Sequence, residues 1–282
     1  VPGGELKNST LQGNQEGRPF DFFHGRYTAA GHVAKKRVSM LKALLTLYFW
    51  LVFMGSGVLM QGLLLLRLIP VRNPDVRRRI AQRFRLKWSA LNLGMFFGAP
   101  HLEKLKAGSA DLPEQFILIC NHRCNLDPLF VFVIGRPLFF LSKKSVLNTP
   151  VIGWWMRLCG DVAVERSDKT SRGQSLEAMK ARLHKGDSLL IFPEGTRQTE
   201  PQVDLGTFRD GAFNLASETG VPIVALALHR TDMVMEKNAI FLNLARLRYM
   251  FSQPIPTRGQ SPESLKSLTV EEMTKMIQAL RA

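Results

Sequence analysis

Phe116-Ile-Leu-Ile-Cys-Asn-His-Arg-Cys-Asn-Leu-Asp127 begins as a strand and ends as a loop. Phe116 to Cys120 is apolar without a break, the pattern of a strand buried on both faces. The loop sets His122 five residues before Asp127. A second stretch repeats the plan: Ser188 to Phe192 reads as a buried strand, and Phe192-Pro-Glu-Gly-Thr-Arg197 follows it. Sites in α/β sheets gather where strands end. A histidine beside a carboxylate supplies a general base. An acid-Gly-Thr-Arg turn supplies backbone donors and a guanidinium for an anion.

The texture around these blocks is α/β. After Pro113, short apolar runs alternate with helical patterns. Expected strands are Phe116–Cys120, Leu138–Leu141, Val162–Val164, Ser188–Phe192, Ile223–Leu228 and Leu247–Phe251. Expected helices are Pro128–Ile134, Val146–Leu158, Ser171–Lys185, Phe208–Thr219 and Thr269–Leu280, with Thr269 and Glu272 as a capping box.

Three segments are expected: a polar arm over 1–38, membrane-anchoring helices over 39–106 and an α/β domain over 107–282. The arm is polar, without sustained periodicity, and closes on Lys35-Lys-Arg37. No charged residue occurs from Ala43 to Leu66, a run long enough to cross a bilayer as a helix. A buried core helix, or a re-entrant or interfacial helix pair, are the other arrangements open to it. Asn73-Pro74-Asp75 is a helix start. Beyond it Val76, Ile80, Phe84, Trp88, Leu91 and Met95 recur at spacings of three and four among many arginines. That is a basic amphipathic helix suited to an anionic membrane surface. The alternative is a helix packed on the following domain.

The 282 residues carry a formal net charge of +15, and 45% of them are hydrophobic. Such a basic chain suits an anionic partner. Zinc-finger spacing and Gly-aromatic nucleic-acid signatures are absent, and the basic residues crowd around apolar segments, so nucleic acid is not the expected partner. The three cysteines, Cys120, Cys124 and Cys159, form no disulfide framework. Cys120, His122 and Cys124 match no common zinc spacing, so no metal is expected.

The two blocks together resemble the glycerolipid acyltransferase family, specifically the 1-acylglycerol-3-phosphate (lysophosphatidic acid) acyltransferases. Two further elements agree. Gly160-Asp-Val-Ala-Val-Glu-Arg166 matches the family's Gly-x5-Arg block, and Val221-Pro-Ile223 its Val-Pro-Ile block. The likeness runs from about Pro113 to Pro254. There are departures. Gln198 stands where many relatives carry serine, Arg209 where lysine is frequent, and Glu165 where aspartate is usual.

The resemblance implies a mostly parallel sheet flanked by helices, with an N-terminal helical membrane anchor. It also implies transfer of a fatty acyl group from acyl-CoA or acyl-acyl carrier protein to lysophosphatidic acid, giving phosphatidic acid. No cofactor is implied. His122 would be the base and Asp127 its orienting acid, with the acceptor's own hydroxyl as nucleophile. Cys124 is the alternative, a covalent nucleophile. Carried over residue by residue, Arg166, Glu194, Gly195, Thr196 and Arg197 would bind the acceptor's glycerol phosphate. The expected location is a membrane, with the site facing the cytoplasm. Three other functions remain in view: an acyltransferase for another lysolipid such as lyso-ornithine lipid, a hydrolase using the same base, and a non-catalytic lipid-binding protein.

Overall fold

A computed structural model describes residues 29–97, 111–198, 200, 203–235, 243 and 247–281. By contact the chain divides into Val1–Leu41 and Lys42–Ala282. Of the first unit the described part is the start of helix α1 (Ala29–Leu68). The expected arm up to residue 28 and the expected boundary at 106/107 lie outside the described residues. Residues 29–38, expected in the arm, are helical. Alanine, lysine and arginine are strong helix formers, so the helix begins well before the uncharged run.

The second unit is built on a sheet of β1 (Ile117–Cys120), β2 (Leu138–Lys143), β3 (Val162–Val164), β4 (Ser188–Ile191), β5 (Ile223–His229) and β6 (Arg248–Phe251). Their order is β3-β2-β4-β1-β5-β6. All neighbours run parallel except β6, which pairs antiparallel with β5 at one edge. Strand β1 is central, with Leu118 opposite Leu190 on one side and Val224 on the other. His122 therefore emerges between the ends of β4 and β5.

Successive strand residues point to opposite faces, and both are covered. Ile117, Ile119, Leu189 and Ala225 pack with Met179 and Leu183 of α5 (Lys169–His184), Phe213 of α6 (Gly211–Thr219) and Met273 and Ile277 of α7 (Pro262–Arg281). Leu118, Cys120, Leu190 and Leu226 pack with Val131 and Phe132 of α3 (Asp127–Phe132) and Met156 of α4 (Ile152–Cys159).

A third layer lies over α3 and α4. It joins Phe49, Phe53, Leu64 and Leu68 of α1 to Ala81, Trp88 and Leu93 of α2 (Pro74–Phe97) and to Phe130 and Trp155. The buried positions of α1 recur at Thr46, Phe49, Phe53, Gly57, Gln61, Leu64 and Leu68, one stripe at helical spacing. The rest of its surface is leucine-rich and exposed, including Leu47, Leu51, Leu59, Leu63 and Leu66. Met40–Leu68 has a mean hydropathy of 1.9 with 28% of its apolar window buried. By length and composition this helix can cross a membrane, which is consistent with membrane anchoring.

Helix α2 begins as expected: the Asn73 side chain accepts from the N–H groups of Asp75 and Val76 at 2.9 and 3.2 Å. One face of it is packed on the domain. Arg85 does not face outward. Its guanidinium is buried against Asp161, donates to the Leu138 carbonyl at 2.6 Å and stacks 4.0 Å over the Phe132 ring. Gln82 donates to the Cys159 carbonyl at 3.2 Å, and Trp88 stacks on Trp155. Val76, Leu91 and Met95 stay exposed on the other face.

Two helices differ from expectation. Val146–Leu158 is broken into a 3-10 turn (Lys144–Asn148) and α4, because Pro150 holds Thr149 extended. Val151 then sits at φ 62°, rare for a β-branched residue. It is held there from α1: Gln61 donates to its carbonyl at 2.7 Å, and a Cβ on Gly57 would stand 2.5 Å from Val151 Cγ1. Helix α7 starts at Pro262, two turns before the expected Thr269–Glu272 box. Ser261 caps it by accepting from Ser264 N–H at 3.2 Å, while the Thr269 hydroxyl, in mid-helix, donates to the Leu265 carbonyl.

Arg85 and Asp161 give the first prediction. Arg85→Met strands a buried carboxylate, which typically costs about 3–5 kcal/mol. A clear fall in the melting temperature of the detergent-solubilised protein is expected, and Arg85→Met with Asp161→Leu should recover much of it. A double variant no more stable than the single one would mean the pair is not what holds α2.

Candidate active site

The end of β1 is organised by two buried carboxylates. Asp127 is fully buried, and its Oδ2 receives three donors at 2.8 Å: His122 Nδ1–H and the backbone N–H groups of Arg123 and Cys124. It stands at the first turn of α3 but caps none of that helix's own amides. Its carboxylate reaches backwards instead, to the loop that carries His122. An ionised carboxylate only accepts, which puts the proton of a neutral His122 ring on Nδ1 and leaves Nε2 an acceptor. The ring stacks on Phe192, centroids 4.3 Å apart, and its side chain is 19% exposed.

Glu194 is the second carboxylate. Oε1 accepts from His122 N–H at 2.8 Å and Oε2 from Gly206 N–H at 3.0 Å. Burial raises its pKa, and the two backbone donors oppose that. Glu194 forms no ion pair with Arg197 among the described residues. Instead Glu194 ties the end of β4 to the start of the histidine loop, and Gln198 N–H closes the join on the His122 carbonyl at 2.8 Å. Gly206 is required by the close approach: a Cβ there would lie 2.6 Å from Glu194 Oε2.

The turn after β4 brings arginines together. Gly195 lies at φ 69°, where glycine is favoured. Its carbonyl accepts from Arg166, which arrives from the end of β3, and a Cβ on it would meet Arg209 Nε at 2.7 Å. Burial, and then the neighbouring charge of Arg209, lower the Arg166 pKa. Arg166, Arg197 and Arg209 have no carboxylate ion pair among the described residues. Thr196 is exposed and Arg197 half-buried. The thiols at this end of the sheet are inert. Burial pushes the Cys124 pKa up to about 12 and that of Cys120 well above the usual range.

A histidine–carboxylate pair beside a turn whose arginines have no carboxylate ion pair among the described residues can serve base-assisted chemistry on an anionic substrate. Residues 102–229 match the family described as Acyltransferase. Over this segment the chain is similar to the acyltransferase family. A chloroplastic 1-acyl-sn-glycerol-3-phosphate acyltransferase of Arabidopsis thaliana is 33% identical over 185 residues, 64% of this chain and 50% of that protein. The 1-acyl-sn-glycerol-3-phosphate acyltransferase of Saccharomyces cerevisiae is 27% identical over 174 residues, 60% of this chain and 56% of that protein. The chain spans about half the length of the first curated relatives it matches. The crystal structure of PlsC, the 1-acyl-sn-glycerophosphate (LPA) acyltransferase from Thermotoga maritima, superposes with a TM-score of 0.71 at 21% identity. The likeness covers 86% of this chain and 98% of that one, and shows a common fold.

Within this site, the residues singled out from sequence divide by position. His122 and Asp127 form one hydrogen-bonded pair, and Arg166 meets Gly195. Glu194 turns inward, both oxygens taken by backbone. Sequence reasoning passed over Arg209 as a mild departure from lysine. The signal was there, a cation just before Gly211-Ala-Phe213, but only the fold lays it over Gly195.

Gly195→Ala should strain the turn by about 1–2 kcal/mol and displace Arg209 as well. Gly173→Ala is the control, on an exposed helical position with open space, where about 0.5–1 kcal/mol is gained. Thermal scans should move in opposite directions. An unchanged melting temperature for Gly195→Ala would mean that the turn tolerates a side chain.

Proposed function

We propose that the protein transfers a fatty acyl group from acyl-CoA or acyl-acyl carrier protein to the free hydroxyl of 1-acylglycerol 3-phosphate, giving phosphatidic acid. The observation that carries this reading is the His122–Asp127 pair, with Nε2 left as acceptor beside the cationic turn at Gly195. Nε2 takes the hydroxyl proton as the acceptor oxygen attacks the thioester carbonyl. The tetrahedral adduct collapses, the C–S bond breaks, and the imidazolium returns the proton to the departing thiolate. Asp127 holds the tautomer and stabilises the imidazolium. Arg166 and Arg197, with Thr196 and the Gly195 backbone, hold the acceptor phosphate, Arg209 adding a third guanidinium. Glu194 shapes this subsite by fixing the turn. A covalent route through Cys124 is disfavoured by a thiol held protonated.

The chemistry predicts a pattern across variants of the purified full-length protein, given an acyl thioester and a panel of lysolipids with products read by mass. His122→Ala should lose about a hundredfold to ten-thousandfold in turnover, and Cys124→Ala should stay near wild type. Arg166→Lys or Arg197→Lys should raise the apparent KM for lysophosphatidic acid by about tenfold to a hundredfold, because the guanidinium fork is lost. Wild-type preference for a phosphate-free lysolipid such as lyso-ornithine lipid would overturn the acceptor and leave acyl transfer standing. Free fatty acid as sole product would indicate a hydrolase. No turnover of any acceptor would favour a lipid-binding protein.

We further propose that the protein sits on a membrane through the outward leucine face of α1, with the site on the cytoplasmic side. The arginines that follow Leu66 support that orientation. An apolar anchor is insensitive to screening. The protein should therefore stay with membranes through a high-salt wash and leave only with detergent. Release by salt alone would show a purely electrostatic contact.

A further inference from the structure

A second recess opens at the end of β5, on the side of β1 away from the Gly195 turn. It has a volume of about 200 Å³. Asn121 and Arg123, the neighbours of His122, form part of its wall. Asn121 locks the two strand ends together, its side chain accepting from Leu228 N–H at 2.8 Å and donating to the Leu228 carbonyl at 2.9 Å.

The recess is cationic with an apolar side. Arg123, Arg230 and Arg281 line it together with Leu228, Met233 and Ile277. Its two carboxylates are already taken: Asp232 pairs with Arg123 at 3.1 Å, and Asp204 with Arg281. Arg230 is exposed and has no carboxylate partner among the described residues, its guanidinium donating to the Met233 sulfur at 3.1 Å. Its backbone lies at φ 68°, a conformation uncommon outside glycine. His229, also in the wall, has its pKa lowered by burial and then by Arg281 and Arg230, so it is neutral near pH 7 and the cationic character there is arginine's.

We propose that this recess binds the phosphorylated nucleotide end of coenzyme A, the head of the acyl donor. The proposal rests on the acyl-transfer reading and adds the donor side to it. A general base needs alcohol and thioester on either hand. The arginines at Gly195 occupy one side of His122, and the recess lies on the other. Guanidinium charge without a carboxylate partner fits a phosphate, and the exposed side chain of Met233, over the buried Leu228 and Ile277, gives a purine ring an apolar contact. An acyl carrier protein is a less suitable occupant, because an acidic protein docks on an open basic surface and not in a recess of this size.

The probe is adenosine 3′,5′-bisphosphate, with the full-length protein in detergent. It should bind the wild type in calorimetry and inhibit competitively against acyl-CoA. Arg230→Asn removes the charge with a residue that tolerates positive φ. It should raise the KM for acyl-CoA by about tenfold, weaken the probe equally, and leave kcat and the KM for the acceptor within about twofold. Arg230→Lys should recover most of the loss, and Arg281→Gln should act like Arg230→Asn. An unchanged donor KM in an active enzyme overturns the proposal, as does an increase in the acceptor's KM instead. So does a wild type that uses acyl carrier protein alone and ignores the bisphosphate. If no thioester is turned over at all, the acyl-transfer reading fails instead, and calorimetry with the bisphosphate still decides whether the recess is an anion site.

Discussion

One oxygen of Asp127 receives three hydrogen bonds, two from backbone amides and one from His122. An ionised carboxylate with no exposed surface survives only if its desolvation is offset, and two backbone N–H groups do most of that. The imidazole is the third donor, so its position follows from a charge the loop must satisfy anyway. Glu194 fixes the other end of the same peptide segment through His122 N–H. Between them the two carboxylates hold both the side chain and the backbone of one residue. In the proposed reading, a base held on both counts loses little entropy when it meets its substrate. The same bonds join β1, β4 and the loop carrying Gly206, so loosening either carboxylate would also loosen the turn where the arginines gather.

The outer helices belong to the same body. A helix apolar on every side is awkward for a soluble domain, because only one face can be buried. Here α1 lays one stripe on α2, α3 and α4 and leaves its leucines outward. Such a helix has two apolar neighbours, protein on one side and, in the proposed reading, lipid on the other. Gln61 and Gly57 carry this contact as far as Val151, whose strained backbone only surrounding packing can maintain. The anchor is thereby a structural member of the domain and not a tether.

Legibility in the sequence followed the kind of physics involved. Strands buried on both faces are continuous apolar runs, and all six expected strands fall within a few residues of those observed. The Asn73 cap was legible for the same reason, since it depends on a three-residue pattern. Features set by distant partners were not. The face of α2 that packs inward includes Gln82 and Arg85, polar residues bonded to the domain, and Asn92, bonded to Ser56 of α1, so hydropathy pointed outward where packing pointed in. Thr269 and Glu272 match a capping box by spacing, yet Ser261-Pro262 offers the helix an earlier start. At the site, the histidine–carboxylate pair was readable as a spacing. The inward turn of Glu194 was not, because its partners are backbone amides and carry no sequence signature.

This difference explains why the two sides of His122 were unequally visible. The Gly195 side is built from one short block after β4, plus Arg166 and Arg209, and its glycine and arginines stand out in a row. The β5 side is assembled from Arg123, Arg230 and Arg281, which belong to a loop, a strand end and the last helical turn. No window along the chain contains two of them. They meet because β1 lies between β4 and β5, so whatever follows each strand must converge on the residue following β1. A central parallel strand with a base at its end thus has two flanks by topology alone. In the proposed reading a two-substrate reaction uses both, and Arg230, without a carboxylate partner among the described residues, marks the flank that the local motifs leave out.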